Sequence, residues 1–150
     1  TGEDTLSLHD ALPIFTLVPA VVACIKMYSG IYCPNQLLQY GGTEKLVTIF
    51  DHLMTFNFHG GHCFPGAHAS AGFALLCLPF MYGHKIKYYL PGLLAGFTLG
   101  LYQMMKGDHF LSDTLVTLEI SLMVNALLSL FIWQKEKNER CFLTLLKLNI

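Results

Sequence analysis

Charged residues, and arginine above all, are scarce in this sequence. Only 13% of the 150 residues are charged, and Arg140 is the single arginine. The net charge of −1 provides no basic field, whereas proteins that bind nucleic acid need clustered Lys and Arg to contact the phosphates. The composition therefore excludes nucleic acid as a partner.

Apolar residues are correspondingly abundant. They make up 53% of the chain, and the mean hydropathy of +0.49 is high for a soluble domain. The glycines Gly92, Gly96 and Gly100 recur at four-residue spacing, which lets helices approach closely in lipid. Four apolar segments approach the ~20 residues needed to cross a bilayer: 12–28, 67–82, 88–105 and 111–133. We therefore predict an all-α integral membrane bundle with about four transmembrane helices.

The chain is expected to have three parts. Residues 1–14 are predicted to be a non-native or disordered lead, because acidic residues such as Glu3 and Asp4 do not fit a signal peptide. Residues 15–133 would form the membrane core. Residues 134–150, which begin with a charged run, would form a cytoplasmic tail.

Lysine and arginine are divided unequally between the two sides that four crossings would create. One side has Lys45 and Lys106, with Lys26 at the membrane edge. The other side has six basic residues: Lys85, Lys87, Lys135, Lys137, Arg140 and Lys147. Because cytoplasmic loops carry the excess of Lys and Arg, the tail is placed inside the cell. We expect a multi-pass protein of the inner (cytoplasmic) membrane, with the loop before the second segment facing the periplasm or the exterior.

The chain has five cysteines, an odd number that cannot all pair. Cys24 and Cys77 lie in apolar runs, where a thiol usually packs as a small hydrophobic group. Cys33 and Cys63 lie in the polar region predicted to be outside the cytoplasm, where disulfides can form. A Cys33–Cys63 bridge and two free thiols both remain open.

A loop rich in His and Gly, residues 59–70, leads into the second apolar segment. Pro65 is favoured in the first turn of a helix, and Gly66 and Ala67 would then leave free backbone N–H groups at the helix end. Such an end attracts anions, phosphate above all. His68, at the head of the same helix, is placed to act as a general acid.

The fourth segment begins with a histidine and a carboxylate on one helix face. Because His109 and Asp113 are four residues apart, the carboxylate can hold one imidazole nitrogen and leave the other as a base or nucleophile. Lys26, at the end of the first segment, offers a cation for phosphate oxygens. Alternating crossings bring these residues and His68 to one membrane face, where ionisable groups are more often functional than decorative.

In order and spacing these clusters resemble the three signatures of the type 2 phosphatidic acid phosphatase (PAP2) superfamily, K-x6-R-P, P-S-G-H and S-R-x5-H-x3-D. The matching stretches are Lys26-x6-Cys33-Pro34, Pro65-Gly66-Ala67-His68 and His109-x3-Asp113. Their flanks resemble a bacterial membrane-bound branch. The six-helix fold of that family implies that two upstream helices are missing here.

The resemblance implies a membrane-embedded phosphatase that hydrolyses a lipid phosphate or diphosphate monoester. His109 would attack phosphorus and form a phosphohistidine, Asp113 would orient His109, and His68 would protonate the leaving group. The implied mechanism requires neither a metal nor another cofactor, and the implied partners are the lipid substrate and the membrane. Phosphate binding would fall to Lys26, Gly66, Ala67, Lys106 and His62.

The sequence departs from the family pattern at its arginines. Cys33 stands where the first motif has Arg, and Tyr102-Gln103 stand where the third has Ser-Arg. Lys106 matches a basic position of the closer branch and could replace the guanidinium as a point charge. The negative charge of Asp108, beside His109, disfavours the binding of a phosphate dianion. We therefore expect one of three outcomes: lower activity, a raised pH dependence that comes from His62, or an Asp108–Lys106 pair that changes which substrate fits.

Two other functions stay open. A catalytically weak or silent relative would keep the helical scaffold and bind a lipid phosphate without turnover, which the loss of arginines favours. A metal-binding membrane protein would use ligand types that suit zinc or copper, although it leaves Lys26 and the histidine–carboxylate pair unexplained. Its candidate ligands are His59, His62, Cys63 and His68.

Overall fold

The computed structural model describes residues 8–48, 50–51, 54, 60–82 and 85–148. Its α-helices are α1 (Leu8–Tyr28), α2 (Ala67–Phe73), α3 (Leu78–Tyr82), α4 (Ile86–Met105) and α5 (Leu111–Leu148). Short 3-10 turns cover Pro34–Gln36, Leu38–Tyr40 and Ala74–Cys77. Extended pairing in the described residues is limited to one isolated bridge between Leu37 and Glu44. The predicted all-α class is confirmed.

The second apolar segment is a helical run with an interruption. A 3-10 turn at Ala74–Cys77 separates α2 from α3, and Pro79 is the second residue of α3. Because proline has no backbone N–H, Pro79 cannot bond to the carbonyl of Leu75, which removes one α-helical hydrogen bond at this point. The tighter 3-10 turn occupies that position.

The glycines of α4 allow close approach to its neighbours, as their spacing predicted. A Cβ atom added to Gly96 would overlap the ring of Phe73 in α2, and one added to Gly72 would overlap the α4 backbone at Gly96. Further along α4, a Cβ atom on Gly100 would meet the side chain of Thr114 in α5. The absence of these side chains therefore sets the distance of α4 from both helices.

The apolar core lies along the same seam between α2 and α4. Phe73 is fully buried, and its ring contacts Phe97 edge-on, with centroids 5.4 Å apart. The core residues Ala69, Phe73 and Leu76 pack against Tyr89, Leu93 and Leu118.

Membrane-length helices are fewer than the sequence predicts. Among the described residues, Leu111–Lys135 is long and apolar enough to cross a membrane, whereas Phe15–Tyr28 and Ala67–Tyr82 are apolar but shorter. One described segment is therefore long and apolar enough to span a membrane, whereas the sequence predicted four such segments. The helices also cross two predicted boundaries, because α1 begins at Leu8 and α5 continues through the expected cytoplasmic tail.

We predict that Gly96→Val destabilises the fold by about 1–3 kcal/mol, because the added side chain must displace the buried Phe73 ring. Thr98→Val is the matched control, since Thr98 is an exposed residue of the same helix. Thermal unfolding in detergent measures both variants. Equal midpoints for the two variants would show that the seam is not tightly packed.

Candidate active site

A buried histidine–carboxylate pair lies where α5 begins. His109 is 6% exposed and Asp113 is 4% exposed, and His109 Nδ1 lies 3.2 Å from Asp113 Oδ2. Asp113 also accepts hydrogen bonds from the Phe110 N–H at 2.9 Å and from the Ser112 hydroxyl at 3.2 Å. Because Nδ1 faces the carboxylate, Asp113 can orient the ring and leave Nε2 for chemistry.

The start of α2 is fixed against the start of α5 by a buried hydroxyl. Thr117 Oγ1 accepts a hydrogen bond from the Gly66 N–H at 2.9 Å and donates to the Asp113 carbonyl at 2.6 Å. This bridge joins the residue before α2 to the residue that holds His109. It thereby fixes the first turn of α2, with His68, relative to the buried pair.

Sequence reasoning missed Thr117. Its signal was its spacing, since Thr117 lies four residues after Asp113 and therefore shares the helix face of that carboxylate. What the spacing does not reveal is the partner, because Gly66 lies 51 positions away in the chain. The Gly66 N–H is engaged by Thr117 in this structure, and the assignment of Gly66 as a phosphate ligand stays a prediction.

The exposed imidazole of His68 lies among ionisable side chains of both signs. This ring interacts electrostatically with Lys26 from the end of α1, with Lys106 and Asp108 from the turn between α4 and α5, and with His109. Three separate stretches of the chain thus contribute to one cluster. The predicted residues Lys26, His68, Lys106 and His109 are brought together.

Asp108 is paired, as one of the sequence-based alternatives proposed. Lys106 Nζ lies 2.8 Å from Asp108 Oδ2. The hydrogen bond between the two side chains raises the pKa of Lys106 and lowers the pKa of Asp108. Both groups are therefore ionised at neutral pH.

Of the two alternatives for Cys33 and Cys63, the structure contains the disulfide, with Cα atoms 5.1 Å apart. It joins the loop after α1 to the segment before α2. The Cys63 sulfur also lies 3.0 Å from the Asp108 carbonyl oxygen, next to the nucleophile candidate His109. The bridge therefore cross-links the loop that follows Lys26 to the segment that precedes His68.

The remaining predicted phosphate ligands differ in exposure. His62 is exposed in the loop before α2, and Ala67 is partly buried as the first residue of that helix. No hydrogen bond described for His62 ties it to the buried pair. Its assignment, like that of Ala67, stays a prediction.

The metal-site alternative finds little support. Cys63 is engaged in the disulfide and so offers no thiolate ligand. His59 lies outside the described residues. Within the part of the chain that is described, no group of three or more His, Cys, Asp or Glu residues is placed to hold a metal ion.

The order of these motifs along the chain can be compared with known families. The sequence matches the model of the PAP2 superfamily over residues 9–137, most of the chain. The chain belongs to the PAP2 superfamily. PAP2 proteins are in general phosphatases, which supports a phosphoric monoester hydrolase as the coarse class of activity. Searches of curated proteins and of solved structures found no match.

We predict that Thr117→Val destabilises this PAP2 protein by about 1–3 kcal/mol, because the buried Gly66 N–H loses its acceptor at 2.9 Å and keeps only the longer bond, 3.5 Å, to the Asp113 carbonyl. Thr117→Ser keeps the hydroxyl and is the matched control. Unfolding midpoints measure the difference. If Val and Ser at this position gave the same stability, the bridge between α2 and α5 would contribute nothing.

Proposed function

We propose that this protein is a membrane-embedded phosphatase that hydrolyses a lipid phosphate or diphosphate monoester through a phosphohistidine on His109. The single observation that carries the proposal is the buried His109–Asp113 pair, with His68 and two lysines grouped around it. A buried nucleophile oriented by a carboxylate, next to a second imidazole and positive charge, suits phosphoryl transfer. Membership of the PAP2 superfamily agrees with this class of chemistry.

In the first step, His109 Nε2 attacks phosphorus and the bond from phosphorus to the leaving oxygen breaks. His68 donates a proton to that oxygen, so that the group leaves as the lipid alcohol or as the singly protonated lipid phosphate. In the second step, His68 takes a proton from a water molecule, which attacks the phosphohistidine. The bond between Nε2 and phosphorus then breaks, and inorganic phosphate is released.

Asp113 stabilises the charge that develops on the His109 ring during both steps. When Nε2 becomes bonded to phosphorus, the imidazole carries a positive charge, and the carboxylate at Nδ1 compensates it. Lys26 and Lys106 are proposed to neutralise the phosphate oxygens. Because these cations supply the needed charge, the mechanism does not require a metal ion.

A membrane location is supported by the polarity of α5, which is inverted relative to that of a soluble helix. Its buried residues include Thr117, Ser121, Asn125 and Ser129, whereas its exposed residues include Leu122, Met123, Leu127, Leu130 and Phe131. The buried groups donate to backbone carbonyls of the same helix, for example Ser121 to Thr117 at 2.7 Å and Asn125 to Ser121 at 2.7 Å. Large apolar side chains on the outside and small polar side chains on the inside suit a lipid environment.

The orientation of the site is proposed from two independent features. Lysine and arginine are in excess at the end opposite the site, which favours that end as cytoplasmic. The disulfide at the site end is typical of an oxidising compartment. We therefore propose an inner-membrane protein that acts on phosphate groups at the outer surface, such as those of undecaprenyl diphosphate, phosphatidic acid, phosphatidylglycerophosphate or lipid A.

A catalytically silent lipid-phosphate binder is the second candidate. It is favoured by Cys33, which stands at the position of a family arginine and is held in a disulfide, so it supplies no cation. Gln103, at the position of the second arginine, is buried and neutral. Such a protein would bind the substrate and leave it intact.

Phosphate release from the lipid panel, by protein solubilised in detergent, distinguishes the candidates. We expect His109→Ala to fall to background and His68→Ala to lose about 10²–10⁴-fold in rate, because each removes a reacting group. Release by the wild type should survive EDTA and be blocked by vanadate.

Lys87→Ala is the control for these variants. Lys87 is an exposed cation near the start of α4, a helix of 20 residues whose other end leads to the site, so about 30 Å separates them. Its activity should equal that of the wild type. Background release from the wild type, His109→Ala and His68→Ala alike would reject the enzyme and favour the silent binder.

A further inference from the structure

Both carboxylate oxygens of Asp108 are engaged by side chains from different parts of the chain. Oδ2 lies 2.8 Å from Lys106 Nζ, and Oδ1 accepts a hydrogen bond from Asn35 Nδ2 at 3.1 Å. Asn35 belongs to the 3-10 turn after α1 and lies two residues beyond Cys33. A carboxylate held at both oxygens has little freedom to rotate, so its position relative to its lysine partner is defined.

The backbone around Asp108 is fixed as well. The Asn35 N–H donates to the Gly107 carbonyl at 3.0 Å, and the Asp108 N–H donates to the Gln103 carbonyl at 3.0 Å. Gly107 has φ +76°, a left-handed conformation that glycine adopts without strain. Asn35 therefore binds the turn before His109 twice, once through its backbone and once through its side chain.

The pairing changes the electrostatic role of Asp108. An unpaired carboxylate next to His109 would repel a phosphate dianion, but this charge is balanced by Lys106. The Lys106 side chain is still 51% exposed, and its charge acts on His68. An ammonium group has three donors, so Lys106 can bind Asp108 and a phosphate oxygen together.

We propose that Asp108, held by Asn35, is a positioning residue that fixes the Lys106 ammonium beside His68 as the phosphate-binding cation. In this chain Lys106, held by Asp108, would thus bind the phosphate in place of the arginine of the family pattern. The geometric cost of a flexible lysine is reduced, because the ion pair restricts the side chain before the phosphate arrives. This inference rests on the proposed function, whose site it deepens.

The test is the binding of inorganic phosphate to the detergent-solubilised protein, measured by titration calorimetry and therefore independent of turnover. Asp108→Ala should weaken binding about tenfold, the effect of one charge-assisted hydrogen bond. In a Lys106→Met background the same change should no longer weaken binding and should tighten it, because Asp108 then has no lysine to position and is an unpaired carboxylate that repels phosphate. In lipid-phosphate assays, Asp108→Ala should raise KM more than it lowers kcat.

Asn35→Ala should weaken phosphate binding in the same direction by a smaller factor. Gln39→Ala is the matched control, because Gln39 is an exposed polar residue in the adjacent 3-10 turn. Unfolding midpoints identify any variant that has simply lost its fold. In the Asp108→Ala background, Lys106→Arg should restore strong phosphate binding, since a guanidinium is pre-organised for phosphate.

Tighter or unchanged phosphate binding by Asp108→Ala would overturn the positioning role, and so would an equal loss in the Lys106→Met background. Those outcomes leave the proposed function intact if the wild type still releases phosphate from lipids. Conversely, phosphate binding that follows the predicted cycle in a protein without turnover would reject the phosphatase and keep the positioning role. A wild type that neither binds nor releases phosphate would reject both.

Discussion

The hydroxyl of Thr117 is the contact on which the rest of the candidate site depends. It joins the amide before α2 to the carbonyl of Asp113 in α5, inside a region where water does not compete. Loss of an acceptor by a buried amide costs about 1–3 kcal/mol, and the Gly66 N–H has only a longer second bond, 3.5 Å, to the Asp113 carbonyl. The Thr117 hydroxyl therefore holds the two helix ends in this arrangement. The bridge thereby keeps the acid candidate His68 near the nucleophile candidate His109, although the two lie on different helices.

The same helix face continues as a line of polar groups away from the site. Ser121 and Asn125 follow Thr117 at four-residue intervals, and each donates to a carbonyl one turn earlier. Donors that bond within their own helix can be buried among apolar neighbours at reduced cost, although the Asn125 Oδ1 acceptor has no partner among the described residues. Helix α5 can therefore present an apolar surface outward and still begin with an ionisable pair.

The parts of this structure that depend on local spacing were predictable. Four-residue spacing alone predicts the His109–Asp113 contact, and it also predicts the close approach along the α4 glycines. Asn35 was not predictable, because its bond to Asp108 joins residues 73 positions apart and depends on how the loops pack. The interruption between α2 and α3 has a local cause in Pro79, but apolar patterning alone indicates a continuous helix.

The most direct test of the account is to trap the intermediate. Protein incubated briefly with a radiolabelled lipid phosphate and quenched in alkali should carry label on His109, because a phosphohistidine survives base and is lost in acid. The label should be absent from His109→Ala. In His68→Ala the labelled protein should persist longer than in the wild type, since that variant lacks the base for hydrolysis of the phosphohistidine. Phosphate release by the wild type without any labelled protein, or labelling that persists in His109→Ala, would contradict the assignment of His109 as the nucleophile.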